Sequence, residues 1–130
     1  MVLLFAGVVA AFAANLTGEV AEHLTRPNQK LVETHATFAL ISLWAYGLIL
    51  AGEILTILSS VVIPKRSIPV LDSIMSPVHK VLTINFVTKL LAVVGLIAIF
   101  ITGLLGGVMV YGTSADPLAG LVLKILGLTP

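Results

Sequence analysis

The sequence contains no cysteine and few charged residues. Without cysteine, the chain can form no disulfide, thiolate metal site, iron–sulfur cluster or thiol nucleophile. Charged residues make up 10% of its 130 residues, against about 25% in a typical soluble domain. The net charge of +1 provides no basic surface for nucleic acid. Neither a Gly-rich phosphate loop followed by lysine nor a His-Glu-x-x-His run occurs, so no nucleotide binding and no catalytic residue are predicted.

Apolar residues, in contrast, are in excess. Hydrophobic residues account for 58% of the chain, and the mean hydropathy is +1.16. Soluble domains are nearer to about 45–50% apolar. This composition predicts a single membrane domain over residues 1–130. Because two or three membrane helices bury little surface among themselves, we also predict association with other membrane subunits or with further copies of the chain.

Three long apolar segments and one short segment define the predicted helices. The predicted bounds are 2–23, 35–63 and 79–112, followed by a short helix at 117–128. The second helix stops at Pro64, which cannot continue it, and Asp116-Pro117 is a typical opening for the short helix. The predicted fold class is all-α, an integral membrane three-helix module. Its short C-terminal helix is amphipathic, or docks on a neighbour, because it is too short to span.

Basic residues predict the orientation in the membrane. The loop at 64–80 carries three basic residues and one acidic residue, whereas 19–34 carries two basic and three acidic residues. Cytoplasmic loops are enriched in lysine and arginine, so the loop at 64–80 is predicted to be cytoplasmic. The chain is then a multi-pass protein of the cell membrane, with its amino terminus in the cytoplasm. Its carboxyl terminus and both His23 and His35 lie outside.

Glu53 and Lys89 are charged residues within the second and third apolar segments. A helix turns about 100° per residue, so residues 18 positions apart share a face. This spacing links His35 to Glu53 and Lys89 to Gly107. If the two helices pack antiparallel, Glu53 meets Lys89 in a structural ion pair, and His35 comes level with the segment from Gly103 to Gly107. An unpaired Glu53 serving proton conduction is the alternative.

His35 and His23 are the candidate ligands for a metal or cofactor. Neutral imidazoles on membrane helices can ligate haem iron axially. His35 lies on a face of small and polar residues, level with Gly103 and Gly107, which would admit the edge of a porphyrin ring. Because the chain lacks cysteine, the predicted cofactor is non-covalent haem b, with His23 or a histidine of another chain as the second ligand. The alternative is an interfacial histidine without any cofactor.

The order of these features resembles a family of small bacterial membrane proteins. Thr17-Gly18 closes one membrane helix, His35 opens the next, and a glycine-rich segment at 103–112 closes the last. This pattern is similar to that of the family known as domain of unknown function 2231. The resemblance implies a four-helix module with a suspected role in haem binding or electron transfer. This chain would then begin at the second helix of the family.

Three functions stay open at this point. The first is an accessory subunit of a respiratory or photosynthetic electron-transfer complex that holds haem b through His35. The second is a purely structural subunit that packs against lipid and other helices without a cofactor. The third is a proton-conducting or carrier component that uses Glu53, which pairing with Lys89 disfavours. In each case, the expected partners are the lipid bilayer and other membrane subunits, and the chain itself is not predicted to be an enzyme.

Overall fold

The computed structural model of the chain is all-helical, as predicted. It describes residues 1–25, 28–61, 77, 80–82, 84–114 and 116–128, with residues 18–25 and 59–61 described by their backbone only. The helices are α1 (Val2–Thr25), α2 (Gln29–Val61), α3 (Asn85–Tyr111) and α4 (Ala119–Ile125), with a 3₁₀ turn at Gly112–Ser114 between the last two. These described residues contain no strand.

Two of the described helices are long and apolar enough to cross a membrane. The candidate spans are Gln29–Leu58 and Asn85–Ser114. In α1, the apolar stretch is shorter and covers Val2–Thr17. The prediction is therefore confirmed for an all-helical fold with two long apolar helices, and the three-helix membrane module stays a prediction.

The second helix begins earlier than its apolar segment. The structure starts α2 at Gln29, whereas the hydropathy pattern predicts a start at residue 35. Asn28 caps this helix, since its side-chain oxygen accepts a hydrogen bond from the backbone N–H of Lys30 at 3.1 Å. Charged residues in the first turns mark where a helix leaves the hydrocarbon, not where its hydrogen bonds begin.

The third long helix, α3, follows a break in the helical backbone. Ile84 has an extended backbone, with φ −64° and ψ 119°, and α3 starts after it at Asn85. Residues 80–82 are helical on the other side of this break. The Thr88 hydroxyl donates to the carbonyl of Leu82 at 3.0 Å and so connects the two sides. The predicted start at residue 79 lies outside the described residues.

The main helix pair is α2 against α3. Small side chains in the middle of the interface let the two backbones approach closely. The fully buried positions among the described side chains are Ser42, Ala45, Leu50 and Gly52 on α2, and Gly95, Ala98, Leu104, Leu105 and Val108 on α3.

The first helix has a much smaller contact surface. It packs only on α2, and only its side chains at Leu4, Val8, Ala11 and Asn15 are half-buried. Its other described side chains are exposed, including those of the small residues Ala10 and Ala14. α2 therefore has α1 and α3 as its long helical neighbours.

The short C-terminal helix docks on its own chain. Gly112 has φ +75°, a conformation that favours glycine, and it ends α3. α4 then packs beside the last turns of α3. The resulting core cluster consists of Leu104, Leu105, Val108, Ala119 and Leu123, with Leu31 and Phe38 of α2 packed against it.

Candidate functional site

His35 lies against the backbone of the glycine-rich end of α3. A Cβ atom placed on Gly106 would lie 3.3 Å from Cε1 of His35 and 3.8 Å from Nδ1. The Nδ1 atom is buried and has no hydrogen-bond partner. The imidazole therefore occupies a fixed place in the helix interface without a polar contact at this nitrogen.

A second close contact fixes the register of the two helices. A Cβ atom on Gly95 would lie 2.9 Å from Cε2 of Tyr46 and 3.3 Å from Cβ of Ala45. Tyr46 follows His35 by 11 residues on α2, and Gly95 precedes Gly106 by the same 11 residues on α3. The helices are therefore antiparallel with a constant register. His35 lies at the level that the sequence predicts, within the segment 103–107.

The glycine that faces His35 is Gly106, which the predicted site residues do not include. Gly103 is exposed, and a Cβ atom there would meet nothing within 4 Å. Gly107 is half-buried. The 18-residue spacing from Lys89 selects Gly107, which lies one residue and about 100° of helix rotation away from Gly106, so the sequence pattern missed Gly106.

The register also places Glu53 and Lys89 at similar depths. Continuing the register by seven residues beyond Tyr46 brings Glu53 level with Thr88, next to Lys89. Both charged side chains are exposed, and no ion pair joins them within the described part of the chain. Glu53 is exposed, whereas its neighbour Gly52 is buried beside Leu82. The Glu53–Lys89 pair stays a prediction.

The described residues do not form a complete haem site. Because His35 touches Gly106, a porphyrin has no space between α2 and α3 at this level. Ligating histidines usually donate their other ring N–H to a carboxylate, carbonyl or water, and Nδ1 of His35 has no such acceptor. No cluster of three or more His, Asp or Glu side chains able to hold a metal occurs among the described residues. The side chain of His23 lies outside them.

An apolar groove runs along the middle of the α2–α3 pair. Thr37, Ile41 and Trp44 of α2 form one wall, and Leu91 and Val94 of α3 form the other. Trp44 is 68% exposed, although tryptophan is usually among the most buried residues in a soluble protein. This groove is a surface on which lipid or a further helix can pack.

No known protein family, curated protein or solved structure matches the chain. The resemblance to the domain of unknown function 2231 therefore stays an expectation from the sequence. Among the described residues, His35 provides packing and one buried ring nitrogen without a hydrogen-bond partner.

Proposed function

We propose that the chain is a small integral membrane subunit that packs against lipid and other membrane helices and has no cofactor of its own. One observation carries this proposal: small residues lie in the middle of the α2–α3 interface, while many large apolar side chains are exposed on the outside of the helices. Ser42, Ala45 and Ala98 are buried, whereas Trp44 and Leu96 are exposed. This arrangement suits a hydrocarbon environment, where helices associate by close packing instead of by hiding apolar surface from water.

In this proposal α1 is the third membrane helix. It has 24 residues, which corresponds to a length of about 36 Å, enough to cross a hydrocarbon layer of about 30 Å. Its apolar stretch, Val2–Thr17, enters the bilayer from the cytoplasmic side. The Glu53 end of α2 and the basic loop at 64–80 lie in the cytoplasm, and the His35 end lies outside.

Cysteine labelling in intact cells tests the topology, since the native chain has no cysteine. We expect Asn28→Cys, at the cap of α2, to react with a membrane-impermeant thiol reagent. Ser67→Cys in the basic loop should react only after the cells are permeabilised. Resistance of the protein to extraction with alkaline carbonate provides the independent check of membrane integration. The reverse labelling pattern would contradict the orientation, and release by carbonate would contradict the membrane proposal.

A second candidate function is suggested by the presence of an imidazole at this interface position, although its Nδ1 has no acceptor of the kind that a ligating histidine usually has. Packing alone does not require an imidazole at this position, and a phenylalanine or leucine would leave no polar atom unsatisfied. We propose as the alternative an electron-transfer subunit in which His35 is one axial ligand of haem b. The remaining ligand would come from His23 or from a histidine of another chain.

A reduced-minus-oxidised absorption spectrum of the purified native complex separates the two functions. For the structural subunit, the wild type and His35→Ala should have the same spectrum. For the haem subunit, His35→Ala should lose a b-type signal that the control His79→Ala retains. The comparison uses the native complex because the second ligand is proposed to lie outside the residues described here.

A further inference from the structure

We infer that α4 is embedded in the surface layer of the bilayer, where its exposed apolar face binds the acyl chains of one lipid leaflet. The inference rests on the proposed membrane function and extends it to a segment that is too short to span. Hydropathy alone assigns this segment either to the interface or to a neighbouring subunit. Depth, side-chain distribution and hydrogen bonding at its ends favour the lipid.

The depth of α4 follows from the residues it touches on α3. Ala119 and Leu123 share a core cluster with Leu104, Leu105 and Val108. Leu104 precedes the last residue of α3, Tyr111, by seven residues, or about 10 Å along the helix axis. The sequence has no charged residue between 90 and 111. α4 therefore lies beside the apolar span of α3 and not beyond its end.

The side chains of α4 divide into three arcs. At about 100° per residue, the buried side chains and the exposed ones separate cleanly around the helix axis. Leu118, Leu121 and Ile125 fall within an exposed arc of about 60°. Gly120 and Lys124 lie on the opposite flank of the buried arc and are also exposed. The buried and half-buried arc consists of Ala119, Val122, Leu123 and Leu126.

This distribution matches a helix that touches three surroundings at once. The buried arc meets protein, the Leu121 arc is purely apolar, and the Lys124 arc carries the only charge of the helix. A helix at the membrane boundary needs hydrocarbon on one flank and water on the other. In water, the Leu121 arc would be a continuous exposed apolar surface, which soluble proteins avoid.

Hydrogen bonds fix both ends of α4, so the three arcs keep their directions. At the start, the backbone N–H of Leu118 donates to the side chain of Asp116 at 2.7 Å. At the end, the N–H of Leu128 donates to the carbonyl of Leu123, and Gly127 has φ +65°, which is typical of a Schellman motif. The Gly127 carbonyl also accepts a hydrogen bond from Nζ of Lys30 at 3.1 Å, which ties α4 to α2.

Spin labels on single cysteines test the inference in the purified full-length chain, reconstituted into phosphatidylcholine vesicles. The label at Leu121→Cys should collide with dissolved oxygen much more often than with a water-soluble nickel chelate. The label at Lys124→Cys, on the same helix, should show a several-fold lower ratio of oxygen to nickel accessibility. Leu96→Cys on the exposed face of α3 is the lipid reference, and Thr113→Cys in the 3₁₀ turn is the water reference.

Each outcome of this experiment has a defined meaning. If the Leu121 label collides with the nickel chelate as often as the Thr113 label does, α4 lies in water and the inference is overturned. If neither oxygen nor the nickel chelate reaches the Leu121 label, a second copy of the chain covers this face. That result also overturns the lipid assignment. If the Leu96 label behaves like the water reference, the membrane proposal itself fails. Ile125→Cys repeats the measurement on the same arc. Leu121 and Ile125 are both exposed, so neither of these two substitutions removes a buried contact.

Discussion

The two ends of the α2–α3 pair differ sharply in how well they are packed. At the His35 end, α4 covers the pair, and Leu105 is 0% exposed. At the Glu53 end, the described side chains after Gly52 are exposed or half-buried, and α3 contributes only exposed residues in its first two positions, Asn85 and Phe86. Two helices alone bury little, and a short third helix is enough to create a core.

In the bilayer setting proposed above, only close atomic contact favours the association of helices, because lipid already surrounds apolar surface. The His35 end has a third helix whose side chains fill the space beside Leu104 and Val108. At the Glu53 end, the described residues beside the pair are the short helical piece 80–82, whose Leu82 lies against Gly52. We therefore expect stability to be concentrated at the His35 end.

The largest expected effect is the loss of the central core side chain. Leu105→Ala should lower the free energy of unfolding by about 2–3 kcal/mol, because it leaves a cavity in a packed site. The loss is at the low end of the range for such substitutions, because lipid solvates the apolar side chain in the unfolded state as well. The matched control is Leu96→Ala on the same helix, at a position that is 61% exposed. Unfolding in mixed detergent micelles, followed by circular dichroism, measures both. Equal losses for the two variants would contradict a core at this end.

The next effect concerns the middle of the pair. Gly95→Ala should destabilise the fold by about 1 kcal/mol, because its Cβ would press on Tyr46 and Ala45. Gly103→Ala, where a Cβ meets nothing within 4 Å, should instead be neutral or stabilise by up to about 1 kcal/mol through helix propensity. The same unfolding assay applies. The opposite signs of the two changes are the diagnostic result.

A smaller effect is expected at the Glu53 end. A double-mutant cycle of Glu53→Gln and Lys89→Met should give a coupling of about 0.5–1 kcal/mol if the two exposed charges pair at the membrane boundary. The similar depth of the two residues supports the contact. Strictly additive losses would show that the two charges do not interact.

The smallest effect concerns the tie between α2 and α4. Lys30→Met should cost about 0.5 kcal/mol, because one partly exposed hydrogen bond to the Gly127 carbonyl is lost. Amide exchange in residues 118–128 should become faster, while exchange in α3 stays unchanged. Lys124→Met also removes one positive charge, in this case from α4, but it leaves the Lys30–Gly127 hydrogen bond in place and serves as the control. Faster exchange in both variants would point to charge, and not to the hydrogen bond.

Several features were predictable because they depend on composition or on nearest neighbours along the chain. The apolar excess predicts long apolar helices, two of which are long and apolar enough to cross a membrane, and Asp116 determines where the C-terminal segment turns. The level of His35 relative to residues 103–107 follows from helix rise and segment length. These properties need no knowledge of which faces meet.

Only the tertiary structure decided which faces meet. An 18-residue spacing shows which residues of one helix share a face, but not which face meets the neighbouring helix. The buried face of α3 contains Gly95, Ala98 and Leu105, on the side of the helix away from Lys89 and Gly107. The packed pair also places Gly106, and not Gly103, against His35. The docking of α4 could not be predicted from the sequence either. The turn at Gly112 sets the direction of α4, and the surface on which α4 packs exists only once α2 and α3 have come together.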